Sequence, residues 1–312
     1  MGIVVIGATF VDIKGFPNDT YIPDGRNAGR IEYIHGGVAR NVVEDIANME
    51  LRPTYLGIVD DTPMGADVVH KLQNHKVNTE YVQVRPDGMG TWLAVFDSNG
   101  NVAGSISKRP NLLPILDLLE EKGDEIFAGA DSVVLEVDID KATVKRVFEL
   151  AEKHKVKTYA VVSNMSIAIE RRDFFQKFDC FICNEQEAGM LFLDDFSGKT
   201  PEELRDILAE KVVRAKIPSM VVTMGGKGAV YADLLGNKGI CPAKKVQVKD
   251  TTGAGDAFCA GVSAGLTYGK SLAEAVEIGT TLAASVIVSM DNVCPRFQPE
   301  ELGLDVIFSN HP

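Results

Sequence analysis

The chain has 312 residues, a formal net charge of −12 and an apolar share of 45%. That length suits one large α/β domain, and that composition supplies a single core. The lysines and arginines are scattered among carboxylates with no basic stripe, which argues against a nucleic-acid partner, and no apolar run reaches the roughly 20 residues of a membrane span.

Met1 leads into Gly2-Ile3-Val4-Val5-Ile6-Gly7, an apolar run without the basic segment of a secretory leader. The cysteines stand at 180, 183, 241, 259 and 294, an odd count that suits reduced thiols in the cytoplasm. Cys180 and Cys183 form a C-x-x-C inside an apolar run, without a second pair or a nearby histidine, and read as buried strand residues.

In chain order, residues 3–6 read as a strand, 38–49 as a helix after the Gly36-Gly37 turn, 54–59 as a strand, 64–76 as a helix and 79–84 as a strand. The alternation resumes with strands at 132–137, 158–162, 180–183 and 220–223, and helices at 141–154, 185–192 and 201–215, the last with Pro201 in its first turn. Continuous apolar strands alternating with helices predict an α/β fold, a mostly parallel sheet covered on both faces. Two stretches break this pattern. Residues 12–35 are polar and rich in Gly, Pro and Asn, and residues 91–108 alternate about Asn99-Gly100 as a β-hairpin does. Such strands have no place in the parallel core and are expected to build a small second sheet, a candidate lid over a pocket. With no internal repeat or low-complexity linker, one domain over 1–312 is expected, its lid formed by about 13–35 and 89–108.

Four segments carry chemistry. In Lys249-Asp250-Thr251-Thr252-Gly253-Ala254-Gly255-Asp256, a Gly-rich turn precedes a helix expected over 257–269. Free N–H groups and the helix dipole there favour an anion, and Asp256 is within reach to accept a proton from an attacking hydroxyl. A helix-capping aspartate is the other reading. In Thr223-Met224-Gly225-Gly226-Lys227-Gly228 a strand runs into a glycine loop and then a second strand, suited either to phosphate contact or to a plain hairpin. Asn184-Glu185-Gln186-Glu187 stands where a strand ends and a helix begins; Asn184 and Glu187 either support Mg²⁺ through water or form a capping box. Gly36-Gly37-Val38-Ala39-Arg40-Asn41, with Asp12, offers partners for sugar hydroxyls or else a turn and N-cap. The chain has neither a Walker A loop nor a dinucleotide fingerprint, which disfavours a nucleotide-dependent oxidoreductase.

In this order the segments resemble the PfkB (ribokinase-like) family of sugar and nucleoside kinases, over nearly the whole chain. The resemblance implies a three-layer ribokinase-like fold and an ATP- and Mg²⁺-dependent kinase acting on a hydroxymethyl group. It makes Asp256 the catalytic base and Gly253, Ala254 and Gly255 the anion hole. It places Asp12, Gly36, Gly37, Arg40 and Asn41 on the acceptor. It places Asn184, Glu187, Thr223, Gly225, Gly226, Gly228 and Thr252 on the nucleotide, with Glu187 supporting Mg²⁺ through water. Asp250 and Thr252 retain oxygens for a monovalent cation, but Ser289-Met290-Asp291-Asn292-Val293-Cys294-Pro295 lacks the glycine the family places there, so K⁺ stays open. Arg40 before Asn41, and Asn27-Ala28-Gly29-Arg30, are similar to the pseudouridine kinases of the family, which points to the 5′-hydroxyl of pseudouridine. A fructokinase- or ribokinase-like free-sugar kinase is the alternative, and a ligand-binding member without catalysis is another. The resemblance also implies a homodimer through the lid sheet.

Overall fold

The apolar runs fall on a large central sheet in a computed structural model that describes residues 2–305; Met1 and residues 306–312 of the domain expected over 1–312 lie outside the described residues. With strands and helices numbered in chain order, six parallel strands form most of this sheet: β1 (Ile3–Ile6), β4 (Thr54–Leu56), β9 (Ser132–Glu136), β10 (Lys157–Val161), β11 (Cys180–Asn184) and β12 (Ser219–Thr223). The antiparallel strands β13 (Ala229–Asp233) and β14 (Lys238–Cys241) complete the order β14-β13-β12-β11-β10-β9-β1-β4.

Alternate side chains of each strand enter opposite cores. Val4, Ile6, Val133 and Leu135 pack with α3 (Pro114–Ala128), α4 (Lys141–His154), α5 (Met165–Ala168), α6 (Glu185–Phe192) and α7 (Pro201–Ala215). Ile3, Val5, Val134 and Tyr159 pack with α1 (Val38–Asn48), α2 (Pro63–Asn74), α8 (Ala254–Thr267) and α9 (Leu272–Val286). Each fully buried aliphatic or aromatic side chain contributes roughly 1.5–3 kcal/mol, so two-faced burial explains the unbroken apolar strands. Cys180 and Cys183, three apart on one strand, face opposite cores and cannot share a ligand. All five cysteines are buried and free.

The expected strand over 54–59 breaks at Gly57: β4 stays in the large sheet, while β5 (Ile58–Val59) pairs with β6 (Gln83–Val84) in a separate two-stranded sheet. Only those two residues of the strand expected over 79–84 pair as β6; residues 79–82 carry a turn closed by Val82 N–H on the Thr79 carbonyl.

The small second sheet forms, in the order β3-β2-β7-β8. Its strands are β2 (Phe10–Pro17), β3 (Gly29–Gly36), β7 (Gly90–Phe96) and β8 (Val102–Lys108). Residues 12–35 are therefore mostly regular, two antiparallel strands, and β2 lies parallel to β7. Phe10, Asp12, Lys14 and Phe16 share one face of this sheet by the strand period of two, with Trp92 and Phe96 opposite Asp12 and beside Phe16. Among the described residues no helix is long and apolar enough to cross a membrane.

Candidate active site

α8 starts at Ala254, three residues earlier than the helix expected from 257, so Ala254, Gly255 and Asp256 form its first turn. The run Gly-Ala-Gly is a poor helix former, and the turn holds because Gly253 before it adopts φ +80°. A Cβ at Gly253 would stand 2.0 Å from the Asn292 carbonyl oxygen, so only glycine closes this turn. The amide N–H groups of Gly255 and Asp256 have no acceptor among the described residues, as at any helix start. Gly255 opens on empty space: apart from its own turn of helix, no atom lies within 4 Å of where its Cβ would be. An anion can approach these N–H groups, with the dipole of a 14-residue helix behind them.

The Asp256 carboxylate is half-buried at this turn, and its Oδ2 accepts a hydrogen bond from Asn41 Nδ2 at 2.7 Å. Burial pushes its pKa up to about 7, against the pull of the Asn41 hydrogen bond and Arg40, with Asp12 and Glu187 adding to the rise. A carboxylate poised near neutrality can take a proton from an alcohol as its oxygen becomes a nucleophile. Asp12 lies on the small sheet with its oxygens against Gly36, 2.9 Å from where a Cβ would stand, and burial raises its pKa too. Gly37, the N-cap of α1, has φ +96°, and a Cβ there would meet the Ala8 carbonyl oxygen at 2.6 Å. The glycine pair lets the junction of β3 and α1 pass close to residues 8–12, the end of β1's connection and the start of β2, and α1 carries Asn41 to Asp256.

Arg40 points elsewhere. Its side chain is fully enclosed, with Nη1 on Glu44 Oε2 at 2.8 Å and Nη2 on the His35 carbonyl at 3.1 Å. Lys71 reaches the other Glu44 oxygen at 3.1 Å. Arg40 thus holds α1 to the root of the small sheet and lends its charge to Asp256 from behind.

On the other side of the anion site, Asn184 and Glu187 form a capping box: each backbone N–H donates to the other's side chain at 2.8 Å. The second carboxylate oxygen of Glu187 has no hydrogen bond among the described residues, and burial raises its pKa. Thr223 ends β12, and Gly225–Lys227 form a single 3-10 turn closed by Lys227 N–H on the Met224 carbonyl at 3.1 Å and Gly228 N–H on the Gly225 carbonyl at 3.0 Å, while Met224 N–H donates to the Gly228 carbonyl across the loop at 2.7 Å. Gly225 and Gly226 face open space, while Gly228, at φ +102°, packs on the Cys241 carbonyl. Asp250 Oδ1 accepts from Thr252 N–H and Oγ1–H at 2.9 and 2.8 Å; burial pushes the carboxyl up, but these bonds and the Lys14 ammonium hold it low.

Among the described residues no three or more His, Cys, Asp or Glu side chains converge as a metal site. The Glu187 carboxylate oxygen left without a hydrogen bond among these residues nevertheless suits Mg²⁺, a hard cation that takes oxygen donors and keeps much of its water shell. Two surface hollows, of about 380 and 710 Å³, lie at the amino ends of the strands, near Ser219 and Thr158, away from Asp256.

Two residues at the site were not legible in the sequence. Lys14 is only 7% exposed and has no hydrogen bond or ion pair among the described residues, yet its charge acts on both Asp12 and Asp250. The period of two from Asp12 places it on the same face of the small sheet and is its only signal in the sequence. Asn292 lies in the loop noted only for its missing glycine, and it is bonded to the Asn41 and His35 oxygens.

Residues 2–292 match the description pfkB family carbohydrate kinase. The chain belongs to the PfkB family. It is a phosphotransferase with an alcohol acceptor, and its relatives are carbohydrate and nucleoside kinases. This PfkB kinase is 34% identical over 292 residues to the guanosine-inosine kinase of Exiguobacterium acetylicum, covering 93% of this chain and 95% of the relative. It is 23% identical over 276 residues to the pseudouridine kinase of Escherichia coli strain K12, covering 88% and 87%. Its fold superposes on a structure of Arabidopsis thaliana ribokinase complexed with ribose and ATP with a TM-score of 0.81 at 20% identity, covering 96% of this chain and 97% of that one.

Proposed function

We propose that this PfkB kinase transfers the γ-phosphoryl group of ATP to the 5′-hydroxyl of a nucleoside, with 6-oxopurine nucleosides as first acceptors. The observation that carries this reading is the Asp256 carboxylate, fixed by Asn41 at 2.7 Å beside the open N-terminus of α8. Asp256 accepts the proton as the hydroxyl oxygen attacks phosphorus in line. The free N–H groups of Gly255 and Asp256 stabilise the charge on the transferring group, and Gly253 and Ala254 hold that turn in shape. Thr223, Gly225, Gly226 and Gly228 line the phosphate chain, and Thr252 fixes Asp250 beside it. Mg²⁺, when bound, would offset phosphate charge, with Glu187 and Asn184 orienting its water. Asp250 still offers an oxygen to a monovalent cation. Asp12, Gly36, Gly37 and Asn41 receive the acceptor, and the small sheet serves as a lid that limits access of water.

Two observations favour a nucleoside over a free sugar. One is the 34% identity to a guanosine-inosine kinase. The other is an aromatic group on the Asp12 face: Phe16 stacks on Phe96 at 4.7 Å, Trp92 meets Phe96 edge-on at 6.4 Å, and Arg30 lies 4.2 Å over Phe16. A planar base can pack on such rings, whereas a sugar does not need them. Arg40, the residue that pointed to pseudouridine, is enclosed behind α1 and cannot select an acceptor by contact. Pseudouridine therefore stands second. The buried free cysteines suit a reducing cytoplasm.

An ADP-release assay with Mg·ATP across guanosine, inosine, adenosine, pseudouridine, uridine, ribose and fructose tests this. Guanosine and inosine are expected to lead, and Asp256→Asn to lose about 10²–10⁴-fold in kcat. A free sugar as best acceptor would remove the nucleoside reading. A fully active Asp256→Asn would remove the base.

A further inference from the structure

We propose that Asn292 is a positioning residue that sets the orientation of the Asn41 amide, and through it the Asp256 carboxylate, from the root of the small sheet. The proposal rests on Asp256 being the base.

The Asn41 side chain is 5% exposed and has two ends that are not equivalent. Its Nδ2 donates to Asp256 Oδ2 at 2.7 Å, and its Oδ1 faces Asn292 Nδ2 at 3.4 Å. A flipped Asn41 would set its oxygen against the Asp256 carboxylate and its NH₂ against the Asn292 NH₂. Both contacts would bring like poles together, so a donor at Asn292 leaves one orientation available. At 3.4 Å the contact is long, and its contribution is orientation more than energy.

Asn292 is itself held firmly. Its Nδ2 also donates to the His35 carbonyl at 2.7 Å, an acceptor shared with Arg40 Nη2 at 3.1 Å. His35 belongs to β3 and precedes the glycine pair that leads into α1. The loop after Asn292 is fastened to α1 by Cys294 N–H on Asp45 Oδ1 and by Asn48 Nδ2 on the Cys294 carbonyl, both at 2.6 Å. Before it, Lys249 N–H donates to the Ile287 carbonyl at 2.8 Å. The Asn292 carbonyl also crowds Gly253, the residue that shapes the anion turn. One residue therefore touches the sheet root and Asn41 through its side chain and the Gly253 turn through its backbone carbonyl.

The charged and titratable groups facing Asp256 are Arg40 and Asp45 on α1, Asp12 on β2, Glu187 on α6 and Cys259 on α8. None of them takes the place of the Asn41 N–H, which favours the charged form of the base.

The test is a double-mutant cycle of Asn292→Leu and Asn41→Ala, reading kcat, both KM values, the acid limb of kcat and the thermal midpoint. Alongside it, ¹³C NMR follows the Asp256 carboxyl titration, assigned by its loss in Asp256→Asn. Asn292→Leu is expected to lower kcat about tenfold, the cost of one misdirected hydrogen bond, with KM for ATP within twofold. The acid limb and the carboxyl titration should both move up. In the Asn41→Ala background Asn292→Leu should add nothing, because the effect passes through Asn41. Wild-type kcat and titration in Asn292→Leu would overturn the proposal. So would a loss that persists in the Asn41→Ala background, or one that tracks the thermal midpoint with the titration unmoved. If the wild type turns over no acceptor, the kinase reading fails by itself, and the NMR cycle still decides the role of Asn292.

Discussion

At Asp256 the surroundings that raise the carboxyl to about 7 also make its charged form costly. Below its ordinary value of 3.8 the carboxyl is protonated in the folded and unfolded chain alike. As pH rises from there the unfolded chain loses the proton first, so the folded state loses stability until about 7, and above that the penalty is constant. Replacing the carboxylate by a neutral isostere is therefore expected to stabilise the protein at pH 8 by on the order of 1–3 kcal/mol and to change little near pH 4. Thermal melts of Asp256→Asn and wild type at the two pH values check this. In the wild type, kcat/KM for the acceptor should fall about tenfold per pH unit below the same midpoint and level off above it. A rate flat from pH 5 to 8 would mean that this carboxylate does not gate the reaction. Arg40 shows how far residue identity alone can mislead. An arginine beside Asn41 suggests a substrate contact, but Glu44, four residues on, supplies a partner inside the protein.

Among the elements, the start of α8 separates two kinds of glycine. Gly253 must remain glycine, since φ +80° and the Asn292 carbonyl leave no room for a side chain. Gly255 is helical and unobstructed, and there alanine is the better helix former by about 1 kcal/mol. Gly253→Ala should lose both activity and thermal midpoint. Gly255→Ala should keep or raise the midpoint while raising KM for ATP or lowering kcat, because its methyl group occupies the space of the phosphate. Differential scanning fluorimetry beside the ADP assay distinguishes the two; a fully active Gly255→Ala would show that the phosphate does not sit there. This contrast also explains what the sequence made legible. Lys141–His154, Glu185–Phe192 and Pro201–Ala215 match the expected helices to the residue, and in the structure Asp140, Asn184 and Thr200 cap their starts. α3 and α9 went unread. α3 holds Gly123, and α9 holds Gly279 and two threonines, composition that weakens a helical pattern. Gly279 exists for tertiary reasons: a Cβ there would meet the Phe258 carbonyl of α8 at 2.6 Å. The motif residues of the site could be read because glycine and carboxylate spacing is local. Asn292 could not, since its partners lie about 250 positions away in the chain.

For the molecule as a whole, the small sheet carries an apolar row on the face away from Asp12. Tyr33, Ile13, Leu93 and Ile106 stand opposite one another across its four strands, and Tyr33, Leu93 and Ile106 are 60, 41 and 70% exposed. Such a row invites a second copy of the chain, in line with the homodimer implied by the family resemblance. Light scattering is expected to give a dimer for the wild type and a monomer for a Tyr33→Asp, Ile106→Asp double variant; a monomeric wild type would dismiss this interface. The order in which the chain emerges from the ribosome gives the arrangement of the site another meaning. Asp12, Gly36 and Asn41 come from β2, β3 and α1, while Asp256 and the glycine turn beside it come from the start of α8, more than two hundred residues later. The N-terminal part can assemble during synthesis, yet Asn41 meets Asp256 only once α8 has followed, and a fragment lacking α8 holds neither Asp256 nor the turn beside it. On the proposed mechanism, a product truncated before α8 would lack both the base and the phosphate turn and would leave ATP unspent.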